Sequence, residues 1–294
     1  MQTYLQLLQD ILDNGEIKDD RTGIGTLSVF ARQLKFNLKE GFPAVTTKKL
    51  AWKAVVGELL WFIEGSNDER RLAEITHGSR EGAVTIWTPN ALSPAWKPKA
   101  EFEGDLGRVY GVQWRHWRSP EKEWVVENGI NYSKNIEIDQ LANLIEGLKK
   151  DPNGRRHIIN AWNVADLDKM GLPPCHVLCQ FYVNKKRELS CHMYQRSVDV
   201  FIGLPFNIAS YALFTHQIAQ VSDLTVGELI ISTGDTHIYT NHIEQVKEQL
   251  TRDPLPLPQL MLNSAIKDID KFTMEDISLT NYSAHPPIKA LMAV

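Results

Sequence analysis

The spacing of apolar residues switches along the chain between a helical and a strand period, and most elements follow from it. Residues 3–13 put their apolar side chains on one face of a helix that ends near Gly15. Residues 26–38 (TLSVFARQLKFNL) alternate through Leu34, Phe36 and Leu38, which predicts a strand. A strongly apolar helix is predicted over 50–64 and another helix over 136–150. HIINAW (157–162), VLCQFYV (177–183) and ELSCHMYQ (188–195) predict three strands, the second and third joined by the polar turn NKKR at 184–187. A long apolar helix starts at Pro205, a residue suited to the first helical position, and runs to about residue 221. ELIIST (228–233) predicts a strand, 240–250 a helix, and TRDPLPLP (251–258) an extended connector. The segments 67–85, 89–105 and 116–135 read as surface excursions, the last polar and irregular. With no internal repeat and no compositional break, residues 1–294 are expected to form one α/β (α+β) domain, a mixed sheet flanked by helices.

Composition narrows the class without naming a function. Hydrophobic residues make up 43% and charged residues 23% of 294, an ordinary globular balance. The 32 basic and 36 acidic side chains leave a net charge of -4, which argues against general attraction to nucleic acid or anionic lipid. A local basic pocket stays open. No apolar run approaches the ~18 residues of a membrane span, and MQTYLQLLQDIL lacks the basic start and unbroken apolar stretch of a secretory signal, so a cytoplasmic protein is expected. The three cysteines show no zinc or redox spacing and the nine histidines no ligand spacing, so no metal is expected.

Cys175 lies in LPPCH, with two prolines stiffening the approach and an apolar strand following. A free cysteine is most often a small buried core residue, and Cys179 and Cys191 fit that reading. The hairpin sets Cys175 apart. With the turn centred on Lys185 and Lys186, Asn184 faces Arg187 and Cys175 lies opposite Arg196; a turn one residue longer puts Ser197 there instead. A neighbouring cation raises the thiolate fraction that nucleophilic attack needs.

Arg21, in the glycine-containing loop DRTGIGT, joins Arg155, Arg156 and Arg196 as guanidinium groups near chain turns. Each alone is an ordinary solvated side chain. Together they suit a phosphate, which accepts forked hydrogen bonds. The loop matches neither a P-loop nor a dinucleotide fingerprint. Glu58, in GELLWFIEG, shares a helical face with Trp61 and Phe62, surroundings that raise a carboxyl's pKa and make it a proton shuttle; the competing reading is a structural pair with an unseen base. Asn207, in the first turn of the 205–221 helix, could serve only the backbone there, or could read the N–H and carbonyl edge of uracil. His237 and Tyr239, two apart in GDTHIYTNH, face the same way if extended and could hold a sugar hydroxyl.

In this order, these segments closely resemble the thymidylate synthase family. The resemblance runs from DRTGIGT, GFPAVTTKKL and GELLWFIEG through LGRVYGVQWR, GRRHI and LPPCH to YQRSVDVFIGLPFNIASYA, GDTHIYTNH and HPPIKALMAV. It implies the thymidylate synthase fold, dimerising through its sheet, and reductive methylation of dUMP by 5,10-methylenetetrahydrofolate to give dTMP and dihydrofolate. Cys175 would attack carbon 6 of uracil, Glu58 would organise proton movement, and Tyr110 would help remove the proton from carbon 5. Arg21, Arg196 and Ser197 would hold the phosphate, joined by Arg155 and Arg156 of the second subunit. Asn207 would read the base, with His237 and Tyr239 on the sugar. Asp199 would bind the pterin and also border the nucleotide; Ile86, Trp87, Leu172, Ile202, Gly203 and Phe206 would line the folate site. Lys48 would meet the glutamate tail, while Ala293 and Val294 would close over the ligands.

The chain departs from the family pattern after Trp87, where it reads TPNA in place of an acidic residue followed by a second tryptophan, and at Ala51, where many relatives carry histidine. A dUMP hydroxymethylase, in which water replaces hydride, is the alternative reaction; a cytidylate version would carry an acidic residue in place of Asn207. A non-catalytic nucleotide- or RNA-binding regulator is the alternative of another class, opposed by the filled catalytic positions and the negative net charge.

Overall fold

The structure is a computed structural model that describes residues 1–20, 22–127 and 130–291. Its elements in chain order are α1 (Gln2–Asn14), β1 (Glu16–Lys18), β2 (Thr26–Asn37), α2 (Trp52–Glu64), α3 (Glu69–His77), α4 (Thr88–Ala91) and α5 (Tyr110–Arg115). Then come β3 (Trp117–Glu127), β4 (Ile130–Ile138), α6 (Gln140–Lys150), β5 (Ile158–Asn160), β6 (His176–Val183), β7 (Glu188–Asp199), α7 (Gly203–Val221), β8 (Thr225–Tyr239) and α8 (Ile243–Leu250), with a small pair β9 (Gln259–Leu262) and β10 (Ile277–Thr280) near the end. Six strands form one mixed sheet in the order β1-β2-β8-β7-β6-β5, in which only β7 and β8 run parallel.

A parallel pair cannot be joined by a tight turn, so α7 makes the crossover between β7 and β8. That helix is apolar nearly all round because it is covered on nearly every side. Its Phe214 stacks on Trp114 of α5 with ring centroids 5.1 Å apart and meets Phe181 of β6 edge-on at 5.8 Å. The inner sheet face contributes Cys179, Phe181, Cys191 and Met193, all buried against this layer. The two inner cysteines are therefore core residues, as the composition suggested. No helix among the described residues is long and apolar enough to cross a membrane.

Three differences from the sequence reading have physical causes. Trp117–Glu127 and Ile130–Ile138 pair as antiparallel strands, not as an irregular excursion. These strands bury little, so their pattern shows no apolar face, and cross-strand pairs such as Glu123 with Lys134 at 3.1 Å accompany the pairing. The following helix accordingly starts at Gln140, where Asp139 accepts a 2.8 Å hydrogen bond from the Ala142 N–H. Within 67–85 lies α3, capped by Asp68 and ended by Gly78 at a φ of 78°. Finally β8 continues to Tyr239, well past residue 233, because β2 and β7 pair with it on both sides along that extension.

Candidate active site

Two lobes of one cleft open between α2, the 84–95 segment, the 171–176 turn, the end of β7 and the start of α7. One lobe, about 660 Å³, is walled largely by apolar groups, among them Ala51, Leu72, Val84, Ile202 and Phe206. The other, about 530 Å³, contains Trp87, Tyr110, Leu172, Cys175, Ser197 and Asp199. Glu58, Ile86, Gly203 and Asn207 border both, so the lobes are continuous and Glu58 stands at their junction.

Strand register delivers the cysteine. The β6–β7 turn is one residue longer than the symmetric reading, with Val183 opposite Leu189 and Leu178 opposite Tyr194. A bulge between His176 and Leu178 then takes up one residue and restores the shorter register, pairing His176 with Gln195. Cys175 thus faces Arg196 after all: the Arg196 N–H donates to the Cys175 carbonyl at 2.9 Å. The Arg196 side chain folds back over the same turn, donating from Nε to the Pro174 carbonyl at 2.9 Å and from Nη2 to the Pro173 carbonyl at 3.0 Å. Its Nη2 lies 3.9 Å from the Cys175 Sγ. At Gly234 of β8 a side chain would not fit, since a Cβ there would stand 2.6 Å from the Arg196 carbonyl oxygen. The neighbouring strand can approach only because that residue is glycine.

Across the cleft, Glu58 accepts a 2.7 Å hydrogen bond from the Trp87 indole N–H. Burial pushes the Glu58 carboxyl up to about 7, and the indole bond opposes that rise. Tyr110 begins α5, which lies so close to α2 that a Cβ on Gly111 would be 2.5 Å from the Phe62 carbonyl oxygen. Its hydroxyl accepts the Cys175 N–H at 2.7 Å, and burial holds the phenol well above its ordinary value. One tyrosine therefore touches the Cys175 backbone while packing beside Trp87 and Phe62.

Asn207 sits where expected, and two residues the sequence reading passed over hold it. Gln195 donates to the Asn207 Oδ1 at 2.9 Å, which sets the orientation of the amide. His176 packs between the Tyr110 and Tyr211 rings, each 5.2 Å away. Burial pulls its imidazole down to about 4, a pull partly offset by its contact with Asn207. Both could have been found in the sequence: His176 follows Cys175, and the bulged register makes Gln195 its partner.

The parallel pairing of β7 and β8 sets Ser197 beside Asp235 and Asp199 beside His237. The Asp199 Oδ1 accepts the N–H groups of Phe201 and Ile202 at 2.9 and 3.0 Å, turning the chain into α7. His237 Nδ1 lies 2.8 Å from the Asp235 carboxylate, and its ring meets Tyr239 edge-on at 5.2 Å. These two do face the same way, at the strand ends just beyond the cleft wall.

Other expected residues lie elsewhere. Arg155 and Arg156 are exposed and border a separate hollow beside α6. Lys48 packs its ammonium 3.6 Å above the Phe201 ring and donates to the Phe201 carbonyl, and burial pulls it down to about 8. Arg21, Ala293 and Val294 lie outside the described residues. Of the two departures after Trp87, Asn90 borders the lobe that contains Cys175, whereas the Thr88 hydroxyl points to Glu69. The described residues contain no group of three or more His, Cys, Asp or Glu placed to hold a metal ion. Compared with known families, the chain matches the family model described as thymidylate synthase over residues 2–294.

Proposed function

The chain belongs to the thymidylate synthase family, and on that premise we propose that it converts dUMP to dTMP, with 5,10-methylenetetrahydrofolate as both one-carbon donor and reductant and dihydrofolate as the second product. The observation that carries this reading is the continuity of the two lobes, with Cys175 in one, an apolar slot in the other and Glu58 where they meet. A flat, largely apolar ligand suits the second lobe, and when bound there the folate supplies the methylene group and the hydride.

The chain's own residues do the rest. The Cys175 thiolate, favoured by the Arg196 guanidinium 3.9 Å away, adds to carbon 6 of the uracil and makes carbon 5 nucleophilic. Asn207, oriented by Gln195, offers its amide to the base edge. Tyr110, tied to the Cys175 backbone, is assigned to help remove the carbon 5 proton. A carboxyl held at about 7 both accepts and returns protons near neutral pH, which is the part assigned to Glu58. Arg21, Arg196 and Ser197 are assigned to the phosphate, His237 and Tyr239 to the sugar, and Asp199 to the pterin.

Arg155 and Arg156 stand apart from the cleft, which fits their delivery to a second subunit's phosphate site. The outer sheet face supports such a dimer: Ile158, Tyr182 and Tyr194 stand exposed on it beside Gln180 and His192. Light scattering that finds only monomer in the active protein would remove the shared site from the proposal.

The deciding experiment incubates the purified protein with dUMP and methylenetetrahydrofolate, follows dihydrofolate by absorbance and identifies the nucleotide by mass. dTMP formed in step with dihydrofolate is expected. Hydroxymethyl-dUMP without dihydrofolate would replace hydride transfer by hydration and overturn the proposed reaction.

A further inference from the structure

Behind the cleft lies a buried hydrogen-bond assembly that no step of the proposed reaction uses. Its centre is Glu69, on the first turn of α3 and almost wholly buried. The Glu69 Oε1 accepts the hydroxyl hydrogens of both Thr85 and Thr88 at 2.5 Å. Its Oε2 accepts from the Arg70 guanidinium, whose Nη1 donates to the Arg80 and Ala83 carbonyls. Each threonine oxygen also accepts: Thr85 Oγ1 from the Trp87 N–H at 3.1 Å, and Thr88 Oγ1 from the Thr85 N–H at 2.8 Å. Both hydroxyls are therefore used as donor and acceptor, which leaves the 85–88 turn one geometry. Trp87 is carried on that turn, and its indole is the group that meets Glu58 at 2.7 Å.

We infer that Glu69 is a positioning residue for Glu58: through Thr85 and Thr88 it clamps the turn that carries Trp87, and so holds the indole N–H on the Glu58 carboxyl. The Thr88 hydroxyl turns inward, and the carboxylate that orders the turn is supplied from α3. The inference rests on the reading of Glu58 as the proton-handling carboxyl, but its geometry holds whatever the ligand.

Its consequence is electrostatic. The indole bond favours the charged carboxylate, so losing it lets burial act unopposed. The ionisable groups facing Glu58 are Lys53 of its own helix and His77 of α3 in the apolar lobe, and Tyr110, Cys175, His176 and Asp199 in the other. Tyr211 faces it from α7. A substitution at Thr88 alters none of them.

The test titrates Glu58 in the ligand-free protein by carbon NMR of labelled glutamate carboxyls, assigned with Glu58→Gln. The midpoint is expected near 7 in the unaltered chain. Trp87→Phe should raise it by about one unit, the worth of a hydrogen bond to a charged group. Thr88→Val, which keeps shape and removes the hydroxyl, and Glu69→Gln, which keeps size and removes the charge, should each raise it in the same direction. Unmoved midpoints in both folded variants, or in Trp87→Phe itself, would overturn the inference. Because the titration needs neither nucleotide nor folate, failure of dTMP formation would strike the proposed reaction and leave this result standing.

Discussion

The two sides of the cleft hold their chemistry by different means. On the Cys175 side strand register does most of the fixing: the β6–β7 register sets Arg196 against Cys175, and the β7–β8 register sets Asp199 against His237. On the facing wall the fixing is done by side chains, from Glu69 through Thr85 and Thr88 to Trp87 and Glu58. On the wall the hydroxyls and the carboxylate are themselves the joints, so a substitution there removes the fixing along with the side chain.

The largest expected effect tests the backbone-held side. Cys175→Ser keeps the strand register and the Tyr110 contact, both of which use backbone atoms of residue 175, while replacing the thiol by a hydroxyl that does not ionise near neutral pH. Turnover should fall by ~10³-fold or more, while calorimetry still finds dUMP binding within a few-fold of the unaltered protein. Residual turnover within tenfold would take the nucleophile's role from Cys175.

Asn207→Asp comes next. Gln195 can go on donating to the remaining oxygen, so the side chain stays in place and only its donor edge is lost. An acceptor-only edge matches the amino group of cytosine better than the carbonyl of uracil. Competition between the two deoxynucleotides should move toward deoxycytidylate by ~10²-fold, as for a site whose polar partner goes unpaired. An unchanged ratio would mean that another group reads the base.

Much of the backbone-held side was legible in the sequence, and the reason is geometric. Strand pairing converts spacing along the chain into contact in space, so LPPCH could be placed against YQRS from the turn alone, whereas GDTHIY comes beside YQRS through the parallel β7–β8 pairing, which no turn announces. The one subtlety was the bulge at His176, and it restored the pairing that the simpler turn implied. The wall resisted the same reading. Glu69 lies in a short amphipathic helix inside a segment read as a surface excursion, Thr85 and Thr88 lie at the ends of the short turn that follows, and nothing in TPNA names α3 as the partner of Thr88. The pairing of β3 with β4 was hidden because strands without a buried face carry no alternation. Arg155 and Arg156 are a third kind of case, since this chain places them beside α6, away from the cleft.

Glu58→Gln is the wall's counterpart to the cysteine substitution and should lower turnover by ~10²-fold, in the range for a lost proton shuttle. Its stability signature is sharper. The Glu58 carboxyl rises from an ordinary 4.5 to about 7 on folding, so the native state holds its proton more tightly. That contribution is complete below about pH 4.5 and is lost as pH rises through 7. Relative to the unaltered chain, Glu58→Gln should therefore gain stability between pH 5 and pH 8, by at most ~3 kcal/mol. Urea denaturation at both values measures it, and an equal difference at the two would mean that the carboxyl is not buried as described.

His176 carries the opposite sign on the opposite side, and the effect is the smallest of the four. Its imidazole falls from 6.5 to about 4 on burial, so the unfolded chain takes up the proton first. Stability from keeping it neutral is full above pH 6.5 and is lost as pH falls toward 4. His176→Phe keeps a ring between Tyr110 and Tyr211 and removes the titration. Between pH 7 and pH 5 the unaltered chain should lose ~1–2 kcal/mol relative to this variant, in the direction opposite to Glu58→Gln over its own range. If both substitutions shift stability with the same sign, the cleft does not divide into a side that holds a carboxylic acid and a side that holds a neutral imidazole. Opposite signs would show that one cleft, between about pH 4 and pH 7, keeps a carboxylic acid on one wall and a neutral imidazole on the other.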